Sequence, residues 1–194
     1  YDAFAHAHEL ARPIQHMEAA EWWDEQWRQL PARRSRIGRA ERQRFDAQIA
    51  LERSELVRAL TADGWRRPPE YSVQALRALF GKTLRPKRLI HLPRDFAGQP
   101  DDLIRRRMLE DGRVMLLRVW DSGARLGAQA TPVWLGQVRV LEPVTRLGLF
   151  NTWHEIDQAS KQAMAELRAL DADWQWRRPE AANVPWLVRS APEF

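Results

Sequence analysis

Asp111-Gly112 stands between two apolar-rich segments, Asp102 to Leu109 and Gly112 to Trp120, and no other feature constrains the fold as tightly. Both residues tolerate positive φ, so they close a hairpin and make the two segments antiparallel neighbours. Arg88 to Leu92 and Val133 to Leu141 carry further strand signals, and the small residues of Ser122 to Thr131 link the third strand to the fourth. Within the fourth, Trp134, Gly136, Val138 and Val140 share a face, and Gly136 marks a bulge or a close approach. Trp174 and Trp176 alternate across an edge strand that Pro179 stops, and Trp186-Leu187-Val188 makes a final apolar contact.

Helices flank these strands. After a brief alternation at Phe45, Ala47 and Ile49, a helix is expected with Ser54 as cap, Leu56, Val57 and Leu60 on one face, and Gly64 as its stop before Trp65. Ser72 opens a second helix whose Val73, Leu76, Leu79 and Phe80 form an apolar stripe ended at Gly81. A third runs from about His154 to Leu170, capped by Thr152 or Asn151. The expected fold class is α+β: a mostly antiparallel sheet of about five strands with helices packed on one side. Ahead of it, a helix from about Ile14 to Gln29 ends at Leu30-Pro31, and residues 32–44 read as an exposed Arg-rich connector. The division is a helical arm over 1–44 and an α+β domain over 45–194.

Composition narrows the chemistry. The chain has 194 residues, 44% hydrophobic and 29% charged, with no apolar run approaching the roughly 18–20 residues that span a bilayer. It opens on Tyr1 and reads as a piece of something longer. The absence of cysteine excludes disulfides, thiolate metal sites and cysteine catalysis. A net charge of +5, carried by arginine because lysine appears only at Lys82, Lys87 and Lys161, favours anionic partners.

The candidate residues are few. His6, His8 and His16 with Glu9 lack fixed geometry, so no metal site and no cofactor is expected. His91 and His154 are the candidates for catalysis, although neither has a sequence-near acid to orient it. Ser54, Ser72 and Ser122 lack a Gly-x-Ser-x-Gly setting. In Arg105-Arg106-Arg107, strand alternation sends Arg105 and Arg107 to one face and Arg106 to the other, and Arg118 on the next strand lies beside one of them. These four make either an anion-binding cluster or a charged, protected strand edge. Ten tryptophans look mainly like core fillers. Trp22, Trp23 and Trp27 are the exception, a docking cluster aimed at the domain itself or at a membrane interface, with Arg33, Arg34 and Arg36 placed to meet phosphates.

The series Trp22-Trp23-Asp-Glu-Gln-Trp27-Arg-Gln-Leu30-Pro31-Ala-Arg33-Arg34, Phe45-Asp-Ala-Gln48, Gly64-Trp65, Leu117-Arg118-Val119-Trp120 and Pro132-Val133-Trp134-Leu135-Gly136 resembles the LssY C-terminal domain family over roughly residues 22–170. That resemblance implies a soluble appendage of a bacterial membrane protein with a type-2 phosphatidic acid phosphatase part, sometimes preceded by a DedA-type domain. The phosphatase signature itself is absent, since Arg12-Pro13 stands without its partners. Leu116-Leu117 also replaces a histidine that many family members show. The expected role is a noncatalytic accessory domain that binds anionic headgroups or phosphates, or regulates its own upstream membrane domain, on the periplasmic side. A phosphoesterase using His91, His154 and the arginines is the alternative, and nucleic-acid binding a third.

Overall fold

The computed structural model describes residues 13–36, 39–80, 83–156, 159–181 and 184–191, with the side chains of 34–42 and 160 outside that description. Its strands are β1 (Gln15–Met17), β2 (Arg33–Arg36), β3 (Arg39–Arg44), β4 (Ala47–Ala50), β5 (Leu103–Met108), β6 (Val114–Leu126), β7 (Thr131–Arg146), β8 (Phe150–Glu155), β9 (Trp174–Arg177) and β10 (Trp186–Ser190). Four α-helices accompany them: α1 (Ala19–Asp24), α2 (Arg53–Ala62), α3 (Val73–Leu79) and α4 (Ser160–Arg168). The fold is α+β, as expected, but the sheet differs from the expectation in size and direction.

β6 and β7 form the spine, thirteen and sixteen residues long, paired antiparallel from Val114↔Leu141 through Asp121↔Trp134, with a register shift before Arg125↔Pro132. Strands that long, against about five or six residues in an ordinary sheet, offer each flank to two partners in succession. β6 carries β5 along its first half and β1 along its end, while β7 carries β4 first and β8 second. β10 and β9 continue beyond β4, giving eight strands. The β1–β6 and β4–β10 pairs are parallel, so the sheet is mixed and curled rather than a mostly antiparallel five.

Helices α2 and α4 cover one face, where Leu56, Leu60, Ala163 and Leu167 pack on Leu117, Val119, Val138 and Val140. The other face is covered too, against the one-sided expectation. Trp120 and Leu135 lie under Phe45 and Phe96, and Val114, Leu116 and Leu141 lie under Trp153. With both faces covered, β4 is buried at every position, which explains why its alternation is so brief. Gly136 is a close approach: a Cβ there would stand 3.1 Å from Ile49 Cδ1.

Several local expectations meet the structure directly. Gly64, at φ 82°, ends α2 and turns Trp65 inward, with the Trp65 N–H donating to Leu60 O. Ser72 caps α3, its hydroxyl accepting from the Ala75 N–H at 3.1 Å. Ser54 does not cap α2; Glu52 occupies that position without a side-chain bond. Arg88 to Leu92 is not a strand, because Pro86 opens a 3-10 turn and the carbonyls of Lys87 and Leu89 accept from a side chain instead of a ladder. The helix expected from His154 starts at Ser160, and β8 fills the space before it. The apolar stripe of α3 faces outward: Val73 is 66% exposed, Leu76 49% and Phe80 66%, and the helix docks through Ala75 and through Ala78 O, which accepts from Asn151 Nδ2. Gly81 lies outside the described residues.

The helix expected from about Ile14 to Gln29 is also corrected. Residues 14–44 hold β1, the six-residue α1, a 3-10 turn at Gln26–Gln29 and the β2–β3 hairpin. Trp22 and Trp27 enter a core cluster with Met17, Leu30, Ala124 and Leu187. Among the described residues no helix is long and apolar enough to cross a membrane.

Candidate functional site

Register sorts the arginines. Ile104 faces Arg118 across the β5–β6 ladder, so alternation puts Arg106 on the face that Arg118 shares and sends Arg105 and Arg107 to the α2 face. Arg107 bonds Asp63 and Glu166 and lies over the Trp65 ring at 5.8 Å, clamping α2, β5 and α4 together. Arg105 is buried and donates to Ile104 O at 2.9 Å. Burial, then Arg67 and Arg53, pull its pKa down, and these three guanidinium groups line a hollow of about 400 Å3. The four candidates therefore form no single cluster.

The other face is richer. Arg106 donates to Leu89 O at 3.1 Å and Lys87 O at 2.6 Å, fixing the turn that leads to His91. Arg118 pairs with Asp101, and its Nη2 donates to Leu92 O at 2.7 Å. The His91 ring stacks on Trp153, centroids 5.0 Å apart and planes at 11°. Arg94, on the same loop, reaches Glu155 at 3.5 Å, and Glu155 also holds Arg139 at 2.5 Å. His91, Arg94, Arg118, Trp153 and Glu155 line a cleft of about 570 Å3.

Among the described residues, five buried side-chain nitrogens have no hydrogen-bond partner, and three of them, His91 Nε2, Arg118 Nε and Trp153 Nε1, belong to residues that line this cleft, the others being Trp27 Nε1 and Trp176 Nε1. Buried polar groups are paired in more than about nine cases in ten, so three orphans around one cleft call for an explanation. Burial and the nearby Arg106, Arg118 and Arg94 push the His91 pKa down to about 3, so its imidazole is neutral at neutral pH.

That shift predicts an acid limb of stability. The ordinary pKa is 6.5, so the unfolded chain takes up a proton that the folded chain refuses until the pH nears 3. Stability is full above about 6.5 and drains as pH falls towards 3. His91→Phe keeps the stack and flattens this limb; urea midpoints across a pH series, read as the difference from wild type, measure it.

The remaining candidates lie elsewhere. His154 is exposed and follows Trp153 on β8, so it points to the opposite face and does not meet His91. Trp22 and Trp27 are buried, which removes both rings from any bilayer and leaves docking within the fold. Trp23 is half-buried beneath Arg189, whose guanidinium lies 4.3 Å from its ring centroid. Arg33 is exposed on β2, while the side chains of Arg34 and Arg36 lie outside the described residues, as do His6, His8 and Glu9. His16 is exposed on β1, and no group of acidic or histidine side chains among the described residues could hold a metal ion. Arg94, Trp153 and Glu155 complete the cleft although no motif marks them, and Asp101 pairs with Arg118 from the neighbouring hollow.

Fold and site together define an α+β domain with a guanidinium-lined cleft around a neutral histidine. The chain matches no family model, no curated protein and no solved structure.

Proposed function

We propose that this chain is a noncatalytic accessory domain that binds a phosphate group, free or on a lipid headgroup, in the cleft between His91, Arg118 and Trp153. The single observation that carries the reading is the trio of unpartnered buried nitrogens on one cleft. Arginine and tryptophan offer only N–H donors, and the neutral histidine offers a third in its Nε2–H tautomer. Three unpaired N–H donors on residues that line the cleft suit an acceptor-only ligand with several oxygens, which reaches them as the wall shifts to admit it, and Arg94 and Arg118, each shared with a carboxylate, are the guanidinium groups beside it.

Recognition supports binding more than turnover. Burial and three guanidinium groups set the electrostatics of His91, and His154 stands on the other face of β8. The LssY resemblance gives this role a setting: a periplasmic appendage to a membrane-embedded lipid-phosphatase-type protein, with that upstream part as its partner. The cysteine-free sequence suits that compartment.

Calorimetric titration of the whole chain with inorganic phosphate and with glycerol phosphate tests the reading. Binding that weakens with salt is expected in both. Arg118→Lys keeps the charge beside Asp101 but removes the Nε donor, and it weakens binding about tenfold. Trp153→Phe keeps the stack, removes one donor and weakens binding about threefold. No heat of binding, or wild-type affinity in both variants, would sink the proposal. Hydrolysis of a phosphomonoester that disappears in His91→Ala would replace it with the enzyme reading.

A further inference from the structure

A second surface, on the far end of β8, is built from different residues. Leu147 and Gly148 form the β7–β8 turn at φ 52° and 68°, with the Leu149 N–H donating to Arg146 O at 3.2 Å. Both central residues of such a turn need positive φ, which selects asparagine, aspartate or glycine and penalises leucine. Leu147 nevertheless occupies the tip and is 98% exposed. Nothing within the fold accounts for an apolar side chain there.

The outward stripe of α3 joins this tip. Phe80 bridges to Phe150, their rings 5.6 Å apart and edge to face, so α3 and the β7–β8 turn form one exposed apolar surface. Cations ring it. Arg77, Arg85 and Arg88 line a hollow of about 520 Å3 beside Phe80, and no acidic side chain among the described residues lines it. Arg146 flanks the turn and is exposed.

We infer that the α3 face and the β7–β8 tip dock this protein onto an anionic lipid bilayer, with Leu147 entering the acyl boundary and the arginines meeting headgroup phosphates. A bilayer is the partner whose chemistry is layered in that order, apolar beneath and anionic above, so one protruding leucine with guanidinium groups set around it is complementary to it. The inference needs no part of the phosphate cleft.

Sedimentation of the whole chain with vesicles of phosphatidylcholine alone, or mixed with phosphatidylglycerol, tests the docking. Wild type is expected to bind the mixed vesicles in a salt-sensitive way and the neutral ones weakly. Leu147→Asn suits the turn better, so its melting temperature stays level or rises, while vesicle affinity falls about tenfold or more. Arg85→Glu weakens binding to the mixed vesicles alone. Phosphate binding in solution stays at the wild-type level in Leu147→Asn, which separates this test from that of the cleft. Absent vesicle binding by wild type, or undiminished binding by Leu147→Asn, overturns the inference. So does self-association in solution that Leu147→Asn abolishes, since the face would then belong to a second copy.

Discussion

Asp101→Ala is expected to cost about 3–5 kcal/mol and to lower the urea midpoint accordingly, because it leaves a buried guanidinium without its counter-ion. The two side chains are nearly inaccessible, 5% exposed for Arg118 and 7% for Asp101. Burial presses the Arg118 pKa down and the Asp101 pKa up, and each partner opposes the shift of the other. Arginine cannot shed its proton to escape, so the variant must either hold an unpaired charge or open the loop that carries Leu92 O. Replacing both partners, as Arg118→Met with Asp101→Leu, removes the charge altogether and returns most of the loss. Urea denaturation of the two single variants and the double one closes a thermodynamic cycle around the pair. A single variant within about 1 kcal/mol of wild type would show that water already reaches the guanidinium. Added phosphate restores part of the stability of Asp101→Ala, because a ligand that takes the vacated charge binds only the folded chain.

Local devices were legible in the sequence and distant pairings were not. Gly64 and Ser72 act within one turn of their own position, so residue type alone identifies them. The pairing of β1 with β6 joins Gln15 to Ala124, and β10 meets β4 across a similar separation, through strands of three to five residues with no periodicity to read. Periodicity also says that a face is apolar without saying that anything covers it. In α3 the stripe was correctly spaced and faces outward. Leu89 and Ile90 are apolar as in a strand, yet Leu89 O accepts from Arg106, His91 O from the Tyr71 hydroxyl and Leu92 O from Arg118, and no ladder forms.

The candidate site divides the same way. Alternation along β5, once set beside Arg118, places Arg106 with it and Arg105 with Arg107. What it cannot supply is the partner of each guanidinium, since Arg107 finds Asp63 and Glu166 while Arg118 finds Asp101. His91 meets Trp153 only because a loop and a distant strand fold over the same patch of β6 and β7. For Trp22 and Trp27 the sequence leaves docking onto the domain and onto a membrane as alternatives, and only their burial against Gln48 and β4 selects the first.

Trp22→Ala is expected to cost about 3–5 kcal/mol, a large share of the roughly 5–15 kcal/mol that holds a domain of this kind together. The side chain is fully buried, and its indole N–H donates to Gln48 Oε1 at 3.2 Å. Gln48, on β4, donates in turn to Trp27 O at 3.0 Å. Alanine therefore opens a cavity and strands a buried amide oxygen in the middle of the sheet. Trp22→Phe refills most of the volume but not the hydrogen bond, so it recovers only part of the loss. The experiment also decides whether residues 1–44 are an arm or part of the domain. An independent arm predicts that the main unfolding transition keeps its midpoint in Trp22→Ala while the amides of β1 and α1 exchange freely. Integration predicts a single transition with a lower midpoint, and loss of protection that reaches β4 and β7 together with β1. The buried Trp22–Gln48–Trp27 chain favours the second outcome, because it ties α1 and the 3-10 turn after it to β4 inside the sheet.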